Sequence, residues 1–247
     1  MRPRAWAFLA LAFVLGAACV RLGIWQLSRL EERRQRNAQI EAGLALPALD
    51  LNAAAGGVVD PYRRAVARGT FDSGGQFLLS ARSYHDQPGY HLVAPLHLAD
   101  RSLTVIVDRG WIPYQQRDLL AQFQVDGLVE VQGVTKPSVP SPSFLAVSDS
   151  GTDRQPEERR TIAIPDLETD LGTPLLAVYL ALEAPAGETE PAPIPQPEID
   201  LSEGSHLGYA IQWFGFAAVA FGGGLYWIWR QYGRGENHEN AKATKGT

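Results

Sequence analysis

Residues 207–229 read LGYAIQWFGFAAVAFGGGLYWIW and contain no Asp, Glu, Lys or Arg. At about 1.5 Å rise per residue, a helix of that length crosses a hydrocarbon core of about 30 Å. Tyr226, Trp227 and Trp229 near its end are amphipathic rings that favour the membrane–water interface. Toward the other end, residues 5–27, AWAFLALAFVLGAACVRLGIWQL, make a second apolar stretch interrupted only by Arg21. Two transmembrane helices therefore bracket a single domain, residues 28–206. That layout excludes most soluble enzymes.

The first stretch has a competing reading. Met1–Val20 shows the basic start, apolar run and small residues (Gly16, Ala17 and Ala18 before Cys19) of a cleaved signal or lipoprotein box. Gly16, however, stands where that box carries a branched apolar residue, and the apolar pattern runs on through Leu22, Ile24, Trp25 and Leu27. A retained anchor is the better reading, with cleavage before Cys19 as its competitor.

Charge near the spans sets the orientation. No Lys or Arg lies between Thr161 and Trp229, whereas Arg230, Arg234, Lys242 and Lys245 follow, which places residues 230–247 in the cytoplasm. The first span argues the other way, because Arg21, Arg29, Arg33, Arg34 and Arg36 outnumber Arg2 and Arg4, with Glu31 and Glu32 as a partial offset. The second span decides, since its bias is unopposed and a long loop translocates largely regardless of charge. Residues 1–4 are then cytoplasmic too, and 28–206 extracytoplasmic, in a two-pass protein of a bacterial plasma membrane. The apolar run begins at Ala5, which leaves no room for an arginine-rich mitochondrial presequence.

Composition removes further classes. The single cysteine, Cys19, lies in the first span, so there is no disulfide, CxxC redox pair, CxxCH haem attachment or zinc knuckle. Met1 is the only methionine, so no thioether set for Cu(I) exists. The net charge of -5 and the acidic stretch from Asp166 to Glu203 argue against a nucleic-acid surface. GxSxG, HExxH, Walker A and GxGxxG patterns do not occur.

Between the spans, Ser28–Leu44 is rich in Arg, Glu and Gln and free of Pro, so the first helix continues out of the membrane and ends before Pro47. Residues 46–60 are an extended connection. Strands are expected over 62–71, 76–84, 90–98, 102–108 and 128–135, broken by Asp72-Ser73-Gly74-Gly75, Gln87-Pro88-Gly89, Ala99-Asp100-Arg101 and Asp126-Gly127. Residues 175–182 make a sixth strand. Helical composition marks 115–123, and Pro165 opens a short helix over 165–171. The fold class is α+β, a β-rich extracytoplasmic domain whose antiparallel sheet can close partly into a barrel. Residues 137–160, rich in Pro, Ser and charge, read as a long exposed loop. The linker 184–203, with Pro185, Pro191, Pro193, Pro195 and Pro197, reads as a spacer that carries no site.

Four short patterns have a common look. Gly23-Ile24-Trp25-Gln26-Leu27-Ser28-Arg29 looks like a GxWQxxR signature, and Gly69-Thr70-Phe71-Asp72 like a GxFD strand end. Val107-Asp108-Arg109-Gly110-Trp111-Ile112-Pro113 looks like an NRGWVP turn, and His206-Leu207-Gly208-Tyr209-Ala210-Ile211-Gln212-Trp213-Phe214 like HLxYAxTWF. In this order and topology they resemble the Surfeit locus protein 1 family, from end to end of the chain. Asp108 replaces the usual Asn, Gln212 stands where Thr is common, and the region after Ser143 lacks a tryptophan-rich segment that many relatives carry. The resemblance implies a membrane-anchored assembly factor for cytochrome c oxidase that binds haem a and assists its insertion, rather than an enzyme. Its implied partners are cytochrome c oxidase subunit 1, other assembly factors and membrane lipid. A membrane scaffold that holds oxidase subunits or assembly factors together and never carries haem is the alternative.

On a helix, His206, Tyr209, Ala210 and Trp213 share one face, joining an imidazole to two aromatic rings at the outer boundary of the second span. A neutral imidazole can ligate haem iron and flat rings can pack on a porphyrin. An interfacial histidine or a helix cap is the plainer account. The resemblance implies that His206 holds haem iron between the two helices, with Tyr209 and Trp213 beside it. Trp25, Arg29 and Arg33 form a stripe where the first helix leaves the bilayer. They are either ordinary interfacial anchors or, on the sharper reading, Trp25 and Arg29 belong to the haem site, Arg29 pairing with propionates and Arg21 a second candidate.

Arg109-Gly110-Trp111 reads as a bulge or tight turn fixing the tryptophan, either as a structural corner or as a surface toward the membrane or the oxidase. His85, His91 and His97 read as surface or half-buried residues, too widely spaced for one metal. Gly222, Gly223 and Gly224 permit close packing of the two spans.

Overall fold

The computed structural model describes residues 3–54, 58–99, 102–140, 157–183, 192–195 and 199–243. They fall into two compact units, Gln39–Asp200 and the paired segments Met1–Ala38 and Leu201–Thr247.

The Gln39–Asp200 unit is built on strands β1 (Leu49–Asp50), β2 (Arg64–Phe71), β3 (Phe77–Tyr84), β4 (Gln87–Leu98), β5 (Thr104–Pro113), β6 (Val129–Pro137), β7 (Glu158–Arg159) and β8 (Leu175–Leu182), with helix α2 (Ile164–Leu171) before β8. They form one sheet in the order β1-β2-β6-β8-β5-β4-β3-β7, and β2 also pairs with β4. That extra pairing closes β2-β6-β8-β5-β4 into a five-stranded barrel. Antiparallel pairing dominates. β8 runs antiparallel to β6 and parallel to β5, because it returns through α2 to fill the gap between them.

Period-two alternation sorts the side chains. Leu176, Val178 and Leu180 of β8 face the barrel interior with Ala65, Ala67, Leu96, Leu98, Val105 and Val107. On the outer face, Leu175 and Tyr179 pack with Phe77, Leu79, Val93 and Ile106 beneath Ile164 and Leu167 of α2. Each fully buried Leu, Ile or Val contributes about 1.5–3 kcal/mol relative to exposure. The barrel closes at Gly69, which pairs with both Val129 and Leu98. A Cβ there would collide with the His97 carbonyl, so the GxFD glycine is what lets β2 pass from β6 to β4.

Several local expectations are corrected. The β3–β4 turn is His85-Asp86, both with positive φ (46° and 62°), and Gln87-Pro88-Gly89 already belongs to β4. A two-residue hairpin needs that left-handed geometry, which His and Asp tolerate better than most residues. Residues 115–123 form two 3₁₀ turns, Tyr114–Gln116 and Leu120–Phe123, the second burying Leu120 and Phe123 against Leu78, Leu92 and Ile112. Of the expected loop 137–160, residues 141–156 lie outside the described residues, while Glu158–Arg159 pairs with β3. In the linker 184–203, residues 184–191 and 196–198 are likewise outside them, but Ile194 bridges Trp111 of β5 through two backbone hydrogen bonds of 2.7 and 2.8 Å. The linker is therefore more than a spacer.

The other unit pairs two long helices, α1 (Pro3–Ala45) and α3 (His206–Ala243). Both contain segments long and apolar enough to cross a membrane, and only 11% of either apolar window is buried, unlike the core helix of a soluble protein. Buried positions recur every seven residues, Gly16, Gly23, Leu30 and Asn37 on α1 and Ala210, Ala217 and Gly224 on α3. A seven-residue repeat is the signature of a left-handed, coiled-coil-like seam. The helices run antiparallel, since Phe221 sits over Gly16 and Phe214 over Gly23, where an added Cβ would lie 2.5 and 2.8 Å from the ring. Of the triplet 222–224 only Gly224 faces α1, toward Leu9 and Ala12; Gly222 and Gly223 meet open space.

Candidate functional site

His206 opens α3, and its ring Nδ1 lies 2.9 Å from Oε1 of Gln26 on α1. The juncture is braced on both sides. One turn deeper, Phe214 fills the notch at Gly23. On the other side, Arg33 Nε donates to the Ser202 carbonyl at 2.9 Å, Arg34 makes a bidentate pair with Glu203 at 2.7 and 2.9 Å, and Asn37 Nδ2 donates to the Leu201 carbonyl. The hydrogen-bonded Arg34 guanidinium holds the Glu203 carboxyl below the usual range. The Arg34–Glu203 pair is half-exposed and so does more for register than for stability.

His206 and Trp213 are half-buried, Ala210 is buried against α1 and Tyr209 is exposed. Trp213 makes an edge contact with Phe216, with ring centroids 5.9 Å apart. On α1, Trp25 is exposed, and Arg29 stacks over it at 5.7 Å while pairing with Glu32 at 2.7 Å. Among the described residues no hydrogen bond or ring contact joins Trp25 or Arg29 to His206, Tyr209 or Trp213. The residue that meets the histidine is Gln26. Phe214 and Phe221 pack over Gly23 and Gly16 of α1, and the helices meet directly at Gln26–His206.

The Gln39–Asp200 unit holds a second polar centre. His91, expected near the surface, is buried, and its Nδ1 lies 2.9 and 3.1 Å from the two Asp108 carboxylate oxygens. His85 and His97 are exposed as expected. Asp108 also accepts from the Gly110 amide at 3.1 Å. That bond holds Gly110 at φ +116°, where an added Cβ would run into the Ile194 carbonyl. The register of β5 against β4 slips at this point, leaving Arg109 as a bulge. Its guanidinium stacks over Phe71 at 5.0 Å, and burial pushes its pKa down. The turn is a structural corner with Trp111 buried in it. Burial also lowers the Lys136 ammonium pKa, against the pull of Asp108, and pushes the Tyr179 phenol up to about 12.

Two of the four motifs thus build this corner and the barrel closure, and two meet at Gln26–His206. The sequence model of the SURF1 family matches residues 13–218, a stretch that contains all four. A SURF1-like protein of Rickettsia conorii is 28% identical over 84% of this chain and 85% of its own length. One of Rickettsia bellii is 30% identical over 81% of each chain. Surfeit locus protein 1 of Mus musculus is 25% identical over 53% of this chain and 50% of its own. With the match running from one apolar helix, through the barrel, into the other, the chain belongs to the SURF1 family.

Proposed function

We propose that this chain is a two-pass plasma-membrane assembly factor for cytochrome c oxidase that carries haem a as cargo. On this reading the β-rich domain is extracytoplasmic and both termini are cytoplasmic. The supporting observation is His206, an imidazole heading the second apolar helix beside half-buried Trp213 and exposed Tyr209. The donor set fits haem: one neutral nitrogen ligand, flat rings nearby, and cationic Arg29 for a propionate once Glu32 releases it. His206 would hold the iron, Tyr209, Trp213 and Trp25 would shield the macrocycle, and the domain would dock the receiving oxidase subunit, subunit 1. The work is binding and delivery; no side chain is given a bond-making role.

The test is the visible spectrum of detergent-purified protein co-expressed with a haem a-producing pathway, set beside His206→Ala at equal protein. A stoichiometric haem a band lost in the variant is the expected result. A colourless wild type under proven haem a supply would sink the cargo role and leave a scaffold.

A further inference from the structure

The GxWQxxR stretch places one polar side chain, Gln26, against His206. Gln26 is half-buried and at the end of an apolar span, and its side-chain carbonyl lies 2.9 Å from His206 Nδ1. We infer that Gln26 is the positioning residue of the site: its side-chain carbonyl holds a hydrogen on His206 Nδ1 and so leaves Nε2 with the free lone pair that a metal requires. This rests on the proposed role of His206 as an iron ligand.

The chemistry is restrictive. A neutral imidazole carries one N–H and one bare nitrogen. An amide carbonyl can only accept, so a ring nitrogen 2.9 Å from Gln26 Oε1 has to be the donor. Were the amide reversed, its NH₂ would donate to Nδ1, Nε2 would carry the hydrogen, and ligation would be blocked. Metal-binding histidines commonly give their second N–H to such an acceptor, which fixes both tautomer and ring orientation.

Two further features belong to the same arrangement. Gly204, in the left-handed region at φ +68°, stands beside the other edge of the ring; a Cβ there would lie 3.6 Å from Cδ2 and 3.8 Å from Nε2. Those are ordinary contacts, so it is the left-handed backbone at 204 that favours glycine beside the ring. The separation of Gln26 and His206 is itself fixed, by Phe214 in the Gly23 notch on one side and Arg34–Glu203 on the other.

The experiment has two arms on the full-length protein in detergent. Long-range ¹H–¹⁵N correlation of the histidine rings, without haem and with His206 identified by its loss in His206→Ala, reads the tautomer directly. Wild type is expected as Nδ1–H and Gln26→Leu as a mixture or Nε2–H. Haem a retention after co-expression should fall about tenfold or more in Gln26→Leu and recover in Gln26→Glu, which keeps an acceptor at the same reach. An Nε2–H wild type, or a Gln26→Leu protein with wild-type tautomer and wild-type haem, overturns the inference. A wild type that is Nδ1–H, loses that tautomer in Gln26→Leu and never takes haem overturns the cargo role alone and upholds Gln26 as what orients His206.

Discussion

At the scale of single residues, Asp108 ties the β5 bulge to His91 of β4. Its carboxylate is the acceptor for both buried His91 and the strained Gly110 amide. Asp108→Ala leaves both donors buried without a partner and should cost about 2–4 kcal/mol. Asp108→Asn retains one carbonyl acceptor and should cost less, about 1 kcal/mol. Thermal unfolding of the detergent-solubilised chain separates the two. Tyr179 supplies a pH signature. Burial first, and the Asp108 charge second, raise its pKa to about 12, against about 10 in the unfolded chain. The folded state then keeps a proton that the unfolded state releases, so stability is complete below pH 10 and declines between 10 and 12, by at most about 3 kcal/mol. Tyr179→Phe should remove that part of the decline in a pH series of denaturation midpoints; an unchanged slope would contradict the assignment.

At the scale of elements, glycine decides where pieces can approach. Gly23 receives Phe214, whereas Gly208 and Gly215 meet open space. Gly23→Leu should therefore loosen the helix pair by about 1–3 kcal/mol, and Gly215→Leu should be neutral. Cysteine cross-linking between α1 and α3 reports this, with equal effects from both variants counting against the seam. Gly110→Ala combines a collision with Ile194 and a left-handed φ, and should cost roughly 2–4 kcal/mol and release the Ile194 bridge. The six long strands, α2 and both apolar helices are legible in the sequence because each follows from local period and turn chemistry. What escapes is whatever depends on two distant segments meeting. β7 and the Ile194 bridge sit in stretches whose composition says loop, and the β3–β4 turn hides its left-handed residues as His85-Asp86 behind a more conspicuous Pro-Gly. His206 stands out by its place at a span boundary. Gln26 does not, because its partner is set by the register of two helices, in which Gly16 and Gly23 take part and, of the more conspicuous triplet at 222–224, only Gly224.

At the scale of the whole molecule, the unresolved conflict in the sequence is between the two spans, whose flanking charges call for opposite orientations. Positive residues count most on short flanks close to a span, and long translocated loops are read largely without regard to charge. The arginines at 29, 33, 34 and 36 begin a segment that extends to residue 206, far beyond the length at which the rule applies. Arg230, Arg234, Lys242 and Lys245, by contrast, follow the second span closely. The tail should therefore win. An alkaline phosphatase fusion at Gly127, which is exposed and where an added Cβ would meet nothing within 4 Å, should be active, and a fusion after residue 247 inactive, with green fluorescent protein fusions showing the reverse. Replacing the four tail cations with Gln should weaken this pattern, because nothing on the outer flank of the second span opposes them. Strong phosphatase activity from the C-terminal fusion would invert the topology and move His206 to the cytoplasmic boundary, where delivery to an extracytoplasmic docking face could no longer be its task.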